Sequence, residues 1–396
     1  MLTRTIIAWD LTSAATSLAY INLVVAVPMI FASMLGGAIT DRVERRQLVI
    51  AGQCLIATND LFILGLLLTG QLQFWHLLVT AFLAGCAFPF IMPARMAITA
   101  TVVGPEKIQT AMAFSSGALN LARVAGPALM GTVIATFSVM AAYVVSVSLY
   151  TCAILCMFRV ERSRSQPKGT PQKKLLADII HGFSYVAQHR PVMICLLFGL
   201  LPMFLAMPFQ SILVMLAEQA WQQGESGVGI LMAIGGVGGV FGSIWIVKRG
   251  ETAQRLNLML GTTVAFGLFL GVFVYTRNFY LALIPVLLAN MCASASQTVN
   301  NACIQLLVDD SVRGRMSSLM LLSYGLTPLG VFPMAIAADR FGATSAIAGA
   351  CGLLVILTGA FYLLSSTLRN LDQNVNTAIA AGIKQRAGKQ ASQMDA

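Results

Sequence analysis

The feature that most constrains this chain is a series of long apolar runs that carry almost no charge. Eleven such runs, each near or above the ~20 residues that a membrane-spanning helix needs, fill most of the 396 residues. Charged residues make up only 10% of the chain, against about 25% in soluble domains. The runs lack the short alternating pattern of a transmembrane β-barrel. The sequence therefore predicts an all-α polytopic membrane protein with helices over 13–38, 47–69, 75–101, 109–136, 138–158, 192–217, 227–247, 256–276, 279–305, 316–338 and 343–367.

The net charge of +10 is distributed unevenly across the predicted membrane. If the loop after the first run is cytoplasmic, most lysines and arginines fall on that side. Within the body of the chain, the opposite side then holds only Arg277 and Arg340. This positive-inside asymmetry predicts a multi-pass protein of the inner (plasma) membrane with a cytoplasmic C-terminus. It also explains the basic charge without a nucleic-acid partner.

The cysteine and histidine residues show no spacing typical of a disulfide, a metal site or a catalytic site. The eight cysteines all fall in apolar runs, and the three histidines lie near run ends or in the central loop. We expect the cysteines to be small packing residues, with no metal ion and no cofactor. No cluster of paired carboxylates, cysteines or histidines suggests catalysis, so the sequence does not predict an enzyme.

A short basic loop joins the first two runs, and its residue types suit a contact between helices. A glycine lets a neighbouring helix approach, an aspartate accepts hydrogen bonds, and arginines supply fork-shaped donors for a carboxylate. The residues concerned are Gly37, Asp41, Arg42, Arg45 and Arg46. They resemble the loop signature of the major facilitator superfamily, G-x-x-x-D-R-x-G-R-R, although Glu44 replaces the second glycine. The resemblance implies secondary transport by alternating access, with this loop as a cytoplasmic gate.

The family fold consists of two pseudo-symmetric helical halves of six helices each, and this chain has eleven runs. Residues 1–10 offer only the apolar stub Ile6–Trp9, so we expect the chain to begin near the outer end of the family's first helix. A mis-set start or fragment and a true eleven-helix protein both remain open. The expected parts are an N-terminal half (1–160), a cytoplasmic linker with an amphipathic helix (161–190), a C-terminal half (191–368) and a polar cytoplasmic tail (369–396).

Two further stretches resemble elements that move in this superfamily. The run 109–136 carries a sequence similar to the antiporter motif G-P-x-x-G-G, and Pro127 predicts a kink there. The alternative is a kink without a role in coupling. The matching residues are Arg123, Gly126, Pro127 and Gly131, with Met130 in place of a glycine. Asp310, Arg313 and Arg315 are expected to form the pseudo-symmetric counterpart of the basic loop.

The run 227–247 is unusually rich in glycine. Gly235 and Gly239 form one small-xxx-small pair, and Gly238 and Gly242 form a second. Such pairs let the backbones of two membrane helices approach closely. The run is therefore expected to pack tightly against a neighbouring helix.

Polar residues inside the runs are the candidates for binding substrate or a proton, because a charge at the bilayer centre costs at least ~2.5–3.5 kcal/mol. Asp60 either titrates or recognises a cationic group, with Arg123 or Arg95 as its partner; the alternative is a fixed interhelical bond. Ala81 stands where many proton-coupled members carry arginine, so proton coupling is an expectation from the family alone. The other candidates are Asn59, Asn120, Gln210, Asn290 and Gln297.

Twenty methionines and twenty-one phenylalanines offer an adaptable apolar surface, which favours an amphipathic substrate over a sugar. Part of the central loop, residues 182–191, resembles the siderophore- and drug-exporter branch of the superfamily. The sequence thus predicts a monomeric efflux pump for a small amphipathic molecule, with protons as the candidate coupling ion. The alternative is a degenerate, non-transporting membrane protein or a fragment of a transporter.

Overall fold

A computed structural model gives the fold of the chain. It describes residues 2–40, 43–103, 129–134, 136–160, 184–249, 254–308 and 327–380, and single positions at 111, 118, 122, 126 and 316. The described elements are helices α1 (Leu2–Thr12), α2 (Ala15–Thr40), α3 (Arg45–Thr69), α4 (Phe74–Val103), α5 (Val139–Phe158), α6 (Arg190–Leu205), α7 (Leu213–Trp221), α8 (Gly224–Arg249), α9 (Arg255–Tyr275), α10 (Phe279–Leu307), α11 (Thr327–Phe341), α12 (Ala343–Leu364) and α13 (Ser366–Arg369).

Eight helices within the described residues are long and apolar enough to cross a membrane. They correspond to the predicted runs 47–69, 75–101, 138–158, 192–217, 227–247, 256–276, 279–305 and 343–367, with ends shifted by a few residues. The all-helical membrane fold is therefore confirmed. The linker residues 161–183, most of the run 109–136 and residues 317–326 of the run 316–338 lie outside the described residues.

The N-terminal stub is a helix in its own right. α1 has 11 residues, too few to span a bilayer, and α2 follows after a tight reversal at Ser13, whose φ of 49° is left-handed. Ile6, Ile7 and Ala8 are buried. α1 is therefore a packed element rather than a loose extension of α2.

The predicted run 192–217 is not one continuous helix. α6 ends at Leu205, a 3₁₀ segment covers Met207–Ser211, and α7 begins at Leu213. Pro202 and Pro208 explain the interruption, because proline removes a backbone donor and clashes with the preceding turn. A hydropathy pattern averages over such a break and does not detect it.

The contacts divide the chain into two compact units, and α8, α11 and α12 each contribute to both. The first unit contains α1 to α5, α7, the start of α8, most of α11 and the start of α12. Within it, α4 packs against α2 and α3, and α3 also packs against α5. α1 contacts α2, α4, α5 and α7.

The second unit holds α6, the rest of α8, α9, α10 and most of α12. α8 crosses α10 at the predicted glycines: a Cβ on Gly238 or Gly242 would collide with the carbonyl oxygen of Leu287 or Met291. Close to this crossing, Ser243 and Ser294 share a hydrogen bond of 2.7 Å between their hydroxyls. The predicted close approach of α8 is therefore confirmed for the pair Gly238 and Gly242.

The first part of the predicted polar tail is helical over 371–380 and belongs to the second unit. Leu371 and Val375 are buried in the core of that unit. Asp372 accepts a hydrogen bond of 3.3 Å from the backbone N–H of Leu256 at the start of α9. This segment therefore covers the beginning of α9.

The glycine crossing gives a stability prediction. Gly238→Ala places a methyl group against the α10 backbone, and overpacking of this kind lowers the free energy of unfolding by about 1–3 kcal/mol. Gly261→Ala is the matched control, because a Cβ at Gly261 meets no atom within 4 Å. Thermal unfolding in detergent should show a lower Tm for Gly238→Ala alone. Equal Tm values for the two variants would contradict the assigned crossing.

Candidate functional site

A buried ion pair lies inside the first unit. Arg4 of α1 donates from Nη2 to Oδ1 of Asp60 on α3, at 3.1 Å. The two residues are 6% and 7% exposed, so both charges are removed from solvent. The structure thus supplies Asp60 with an arginine from α1. Of the two predicted partners, Arg95 is exposed, and Arg123 lies outside the described residues.

A shell of neutral polar groups surrounds the pair. Ser146 of α5 donates a hydrogen bond of 2.7 Å to the second carboxylate oxygen of Asp60. The carbonyl oxygen of Thr80 on α4 accepts from Arg4 at 3.4 Å and from the Asn59 amide at 3.2 Å. The Tyr143 hydroxyl of α5 is buried within electrostatic reach of Arg4 and Asp60.

The pair is balanced in charge, and each partner depends on the other. Desolvating two charges costs several kcal/mol each, and mutual attraction with added hydrogen bonds offsets that cost. Removing one partner of a buried pair costs about 3–5 kcal/mol, since the other charge is left uncompensated. Chemically, the arrangement is an ion pair between a carboxylate on α3 and a guanidinium carried on a separate short helix.

Sequence analysis identified Asp60 and Asn59 but overlooked Arg4. One signal was available: Arg4 is the only basic residue among the first forty, and only Thr5 separates it from the apolar Ile6 and Ile7. A single arginine next to an apolar helix segment needs an acidic partner inside the protein.

A second polar site joins α2 to α11. Asp339 of α11 accepts hydrogen bonds from the backbone N–H groups of Ala15 at 2.7 Å and Thr16 at 2.9 Å. These are first-turn donors of α2, which have no partner within the helix. The carboxylate therefore caps α2 from a distant segment and meets the positive end of its dipole.

Three further contacts occur where helix ends of the first unit meet. Trp9 of α1 donates its indole N–H to Glu218 of α7. Tyr20 and Phe332 pack edge to face, with ring centroids 5.7 Å apart. A Cβ on Gly131 would collide with the backbone of Gly229 on α8, so those two backbones touch. We call this set the end closure; it comprises Trp9, Ala15, Thr16, Tyr20, Gly131, Glu218, Gly229, Phe332 and Asp339.

The predicted basic loop is only partly described. Gly37 lies within α2, and α3 begins at Arg45. Arg46 donates to the carbonyl oxygens of Met157 at 3.1 Å and Phe158 at 2.8 Å, and so caps the C-terminus of α5. Asp41 and Arg42 lie outside the described residues, as do Asp310, Arg313 and Arg315.

Those of the remaining candidates that the structure describes make other contacts. Gly131 has the close contact that its motif predicts, whereas a Cβ on Gly126 would meet no atom within 4 Å. Gln210 is exposed on the 3₁₀ segment of the first unit. Asn290 donates to the carbonyl of Val286 within α10. Gln297 is half-buried on α10, and Asn120, Arg123 and Pro127 lie outside the described residues.

Comparison with known sequences gives the family. A family profile described as transmembrane secretion effector matches residues 1–388. The Staphyloferrin A transporter of Staphylococcus aureus is 24% identical over 358 residues, which cover 90% of this chain and 89% of the relative. The multidrug efflux pump Tap of Mycolicibacterium fortuitum is 24% identical, with 87% and 86% covered. The enterobactin exporter EntS of Escherichia coli is 26% identical, with 84% and 79% covered.

Solved structures show the same fold at low identity. The nucleoside transporter NupG superposes with a TM-score of 0.67 at 13% identity, covering 91% of this chain and 96% of its own. A bacterial homologue of the human lysosomal transporter Spinster, in an inward-facing and unoccupied conformation, gives 0.65 at 14% identity and 95% of both chains. Because the family profile spans nearly the whole sequence, the chain belongs to the transmembrane secretion effector family of the major facilitator superfamily, and it is a multi-pass secondary transporter with an efflux role.

Proposed function

We propose that the protein exports a small amphipathic molecule, of the drug or siderophore type, by alternating access coupled to protons. The observation that carries this proposal is the end closure, in which α1, α2 and the segment around Gly131 contact α7, α8 and α11. The first group comes from the proposed N-terminal half (1–160) and the second from the proposed C-terminal half (191–368). Contacts that join two halves at one end are what a closed gate requires.

The closure is assigned to the outer side of the membrane. Its residues lie at or near the α1–α2, α7–α8 and α11–α12 turns. Because successive membrane helices cross the bilayer in opposite directions, we expect these turns on the side opposite the basic α2–α3 loop. The positive-inside asymmetry of the sequence supports a cytoplasmic position for that loop and for the C-terminus. A closed outer end is what an exporter requires while it receives its substrate from the cytoplasm.

The substrate class rests on the relatives and on composition. The printed names of three relatives refer to two siderophores, staphyloferrin A and enterobactin, and to multiple drugs. The many methionine and phenylalanine side chains suit ligands with apolar parts. We propose that the protein acts as a monomer, with each half contributing one wall of the substrate path.

Removing the Asp339 cap should weaken the outer closure. Asp339→Ala leaves the Ala15 and Thr16 donors unpaired, and loss of such a cap costs about 1–2 kcal/mol. The ratio of closed to open molecules should therefore fall by about 5- to 30-fold. Electron–electron resonance distances between labels at Leu11→Cys and Gln223→Cys, in a cysteine-free background, should gain a longer component.

Arg340→Gln is the matched control, because it changes the neighbouring charge without touching the α2 amides. It should leave the distance distribution unchanged. A distribution for Asp339→Ala that is identical to the parent would refute the assignment of Asp339 to a gate.

The basic loop gives an independent test of alternating access. Asp41→Asn should reduce ethidium efflux from cells that express the chain, since the proposed gate loses its acceptor charge, while membrane levels stay unchanged. Asp395→Asn, the same substitution in the tail, should retain efflux. Undiminished ethidium efflux by Asp41→Asn would remove this loop from the gate.

A further inference from the structure

A groove lies on the second unit, between α6 and the end of α12. Its volume is about 480 Å³, within the ~300–1,000 Å³ that small-molecule sites occupy. Leu364 at its rim is 86% exposed, so the groove opens at the surface of the unit. We call it the α6–α12 groove; its walls extend from Arg190 to Leu201 on α6 and from Leu357 to Thr367 on α12 and α13.

The body of the groove is apolar on both walls. One face of α12, with the i, i+3, i+4, i+7 spacing of a helix surface, supplies Leu357, Ala360, Phe361 and Leu364. The facing wall on α6 consists of Met193, Ile194 and Leu201. Phe361 also packs against the buried Phe198, with ring centroids 6.1 Å apart. The two walls therefore meet at an aromatic pair and enclose an apolar slot.

The polar lining residues all lie at one end of the groove. Arg190 is the first residue of α6, whereas Ser365, Ser366 and Thr367 directly follow the last residue of α12. Both walls change from apolar to polar sequence at this end, which is the pattern of a helix at the membrane–water boundary. The polar end of the groove therefore lies at the level of the lipid headgroups.

Several donors at this end are available to a ligand. Ser365 is engaged, because its hydroxyl accepts from the backbone N–H of Leu368 at 3.2 Å and so caps α13. Within the described part of the chain, the side chains of Arg190, Ser366 and Thr367 make no hydrogen bond or ion pair. Arg190 is exposed, and no acidic side chain is among the described lining residues. The end is thus a cationic site with hydroxyl donors beside it.

The depth of the groove matches one leaflet of a bilayer. Arg190 and Leu201 are eleven residues apart on α6, which corresponds to about 16 Å of helix. Half of the ~30 Å hydrocarbon core is ~15 Å. A chain that enters at Arg190 and follows the wall to Leu201 therefore reaches the middle of the membrane.

These features together match a phospholipid. A guanidinium binds a phosphate group through two parallel hydrogen bonds, and basic pockets between membrane helices bind lipid headgroups. The apolar slot suits an acyl chain, whereas a sugar or a nucleoside would leave hydroxyl groups without partners against its walls. With no acid in the described lining, the cationic part of a zwitterionic headgroup has no counter-charge there. The site therefore favours an anionic headgroup.

We propose that the α6–α12 groove binds one anionic phospholipid, with the phosphate on Arg190 and an acyl chain along the apolar walls. The bound lipid joins α6 to α12 and stabilises the second unit. The site uses no residue of the end closure, so it goes beyond the proposed export cycle. Only the assignment of this lipid to the cytoplasmic leaflet rests on the orientation proposed above.

Replacing Arg190 tests the headgroup contact. Native mass spectrometry of the detergent-purified protein, titrated with phosphatidylglycerol, gives the Kd of the first bound lipid. Arg190→Gln should raise this Kd by about 5- to 10-fold, since one charge contact with the phosphate is lost. Arg159→Gln is the matched control, because Arg159 is exposed at the end of α5 and lines no part of the groove. Equal Kd values for the two variants would overturn the assignment of Arg190.

Two further ligands define what the site recognises in the parent protein. Phosphatidylcholine with the same acyl chains should bind more weakly than phosphatidylglycerol, and Arg190→Gln should remove most of the difference. Glycerol 1-phosphate, which has the phosphate but no acyl chain, should not be retained. Equal affinity for the two lipids would refute an anionic site, and retention of glycerol 1-phosphate as strong as that of the lipid would reduce the groove to an anion site.

Filling the slot tests the acyl-chain contact while the charge at Arg190 is kept. Ala360→Phe should raise the Kd for phosphatidylglycerol at least about tenfold and abolish the increase in Tm that this lipid gives the parent. Gly359→Phe is the control, because Gly359 is exposed and a Cβ there meets no atom within 4 Å.

The Tm of each variant without added lipid shows that it is folded. If Ala360→Phe binds phosphatidylglycerol as tightly as Gly359→Phe, or gains as much in Tm from it, the lipid does not occupy the groove and the proposal is wrong. Neither assay involves transport, so the result does not depend on the proposed gate or on the proposed substrate.

Discussion

The fold depends on one property of its surroundings: a bilayer contains no water to satisfy a polar group that lacks a partner. Each intramembrane polar side chain must then be matched inside the protein. In the first unit, Arg4 and Asp60 neutralise each other across two helices. In the second unit, hydroxyl pairs do the same between neighbouring helices; Thr263 and Ser296 are 2.6 Å apart. These matches fix which faces of the helices meet, because apolar surface alone packs against lipid equally well.

Most of the helices were predictable because the bilayer sets their length. Runs of about 20 apolar residues leave few alternatives, and the predicted helices over 47–69 and 256–276 agree with α3 and α9 within two residues. Shorter elements gave no such signal. α1 is half a membrane span, and the interruption between α6 and α7 lies within a run that is apolar on average. Both depend on backbone geometry, at Ser13 and at two prolines, which hydropathy does not record.

The candidate site was only half predictable. Asp60 and Asn59 were identified because a charge or amide in an apolar run is costly and needs a reason. The partner of Asp60 lies 56 residues away, and no local pattern connects two such positions. Gly131 was found through its motif, since a glycine is needed where two backbones touch. Asp339 was missed because its contribution depends entirely on which helix end lies beside it.

The bond between Asp339 and α2 is asymmetric in a way that affects how the family can diverge. One side of it is a side chain, whereas the other consists of main-chain amides that every residue except proline supplies. The identity of the side chains at positions 15 and 16, proline excepted, therefore does not supply the bond, and no side chain there can replace the lost acid. We therefore expect this contact to leave no correlated mutation between the two helices. Selection for it would act on the acidic side chain of α11 alone.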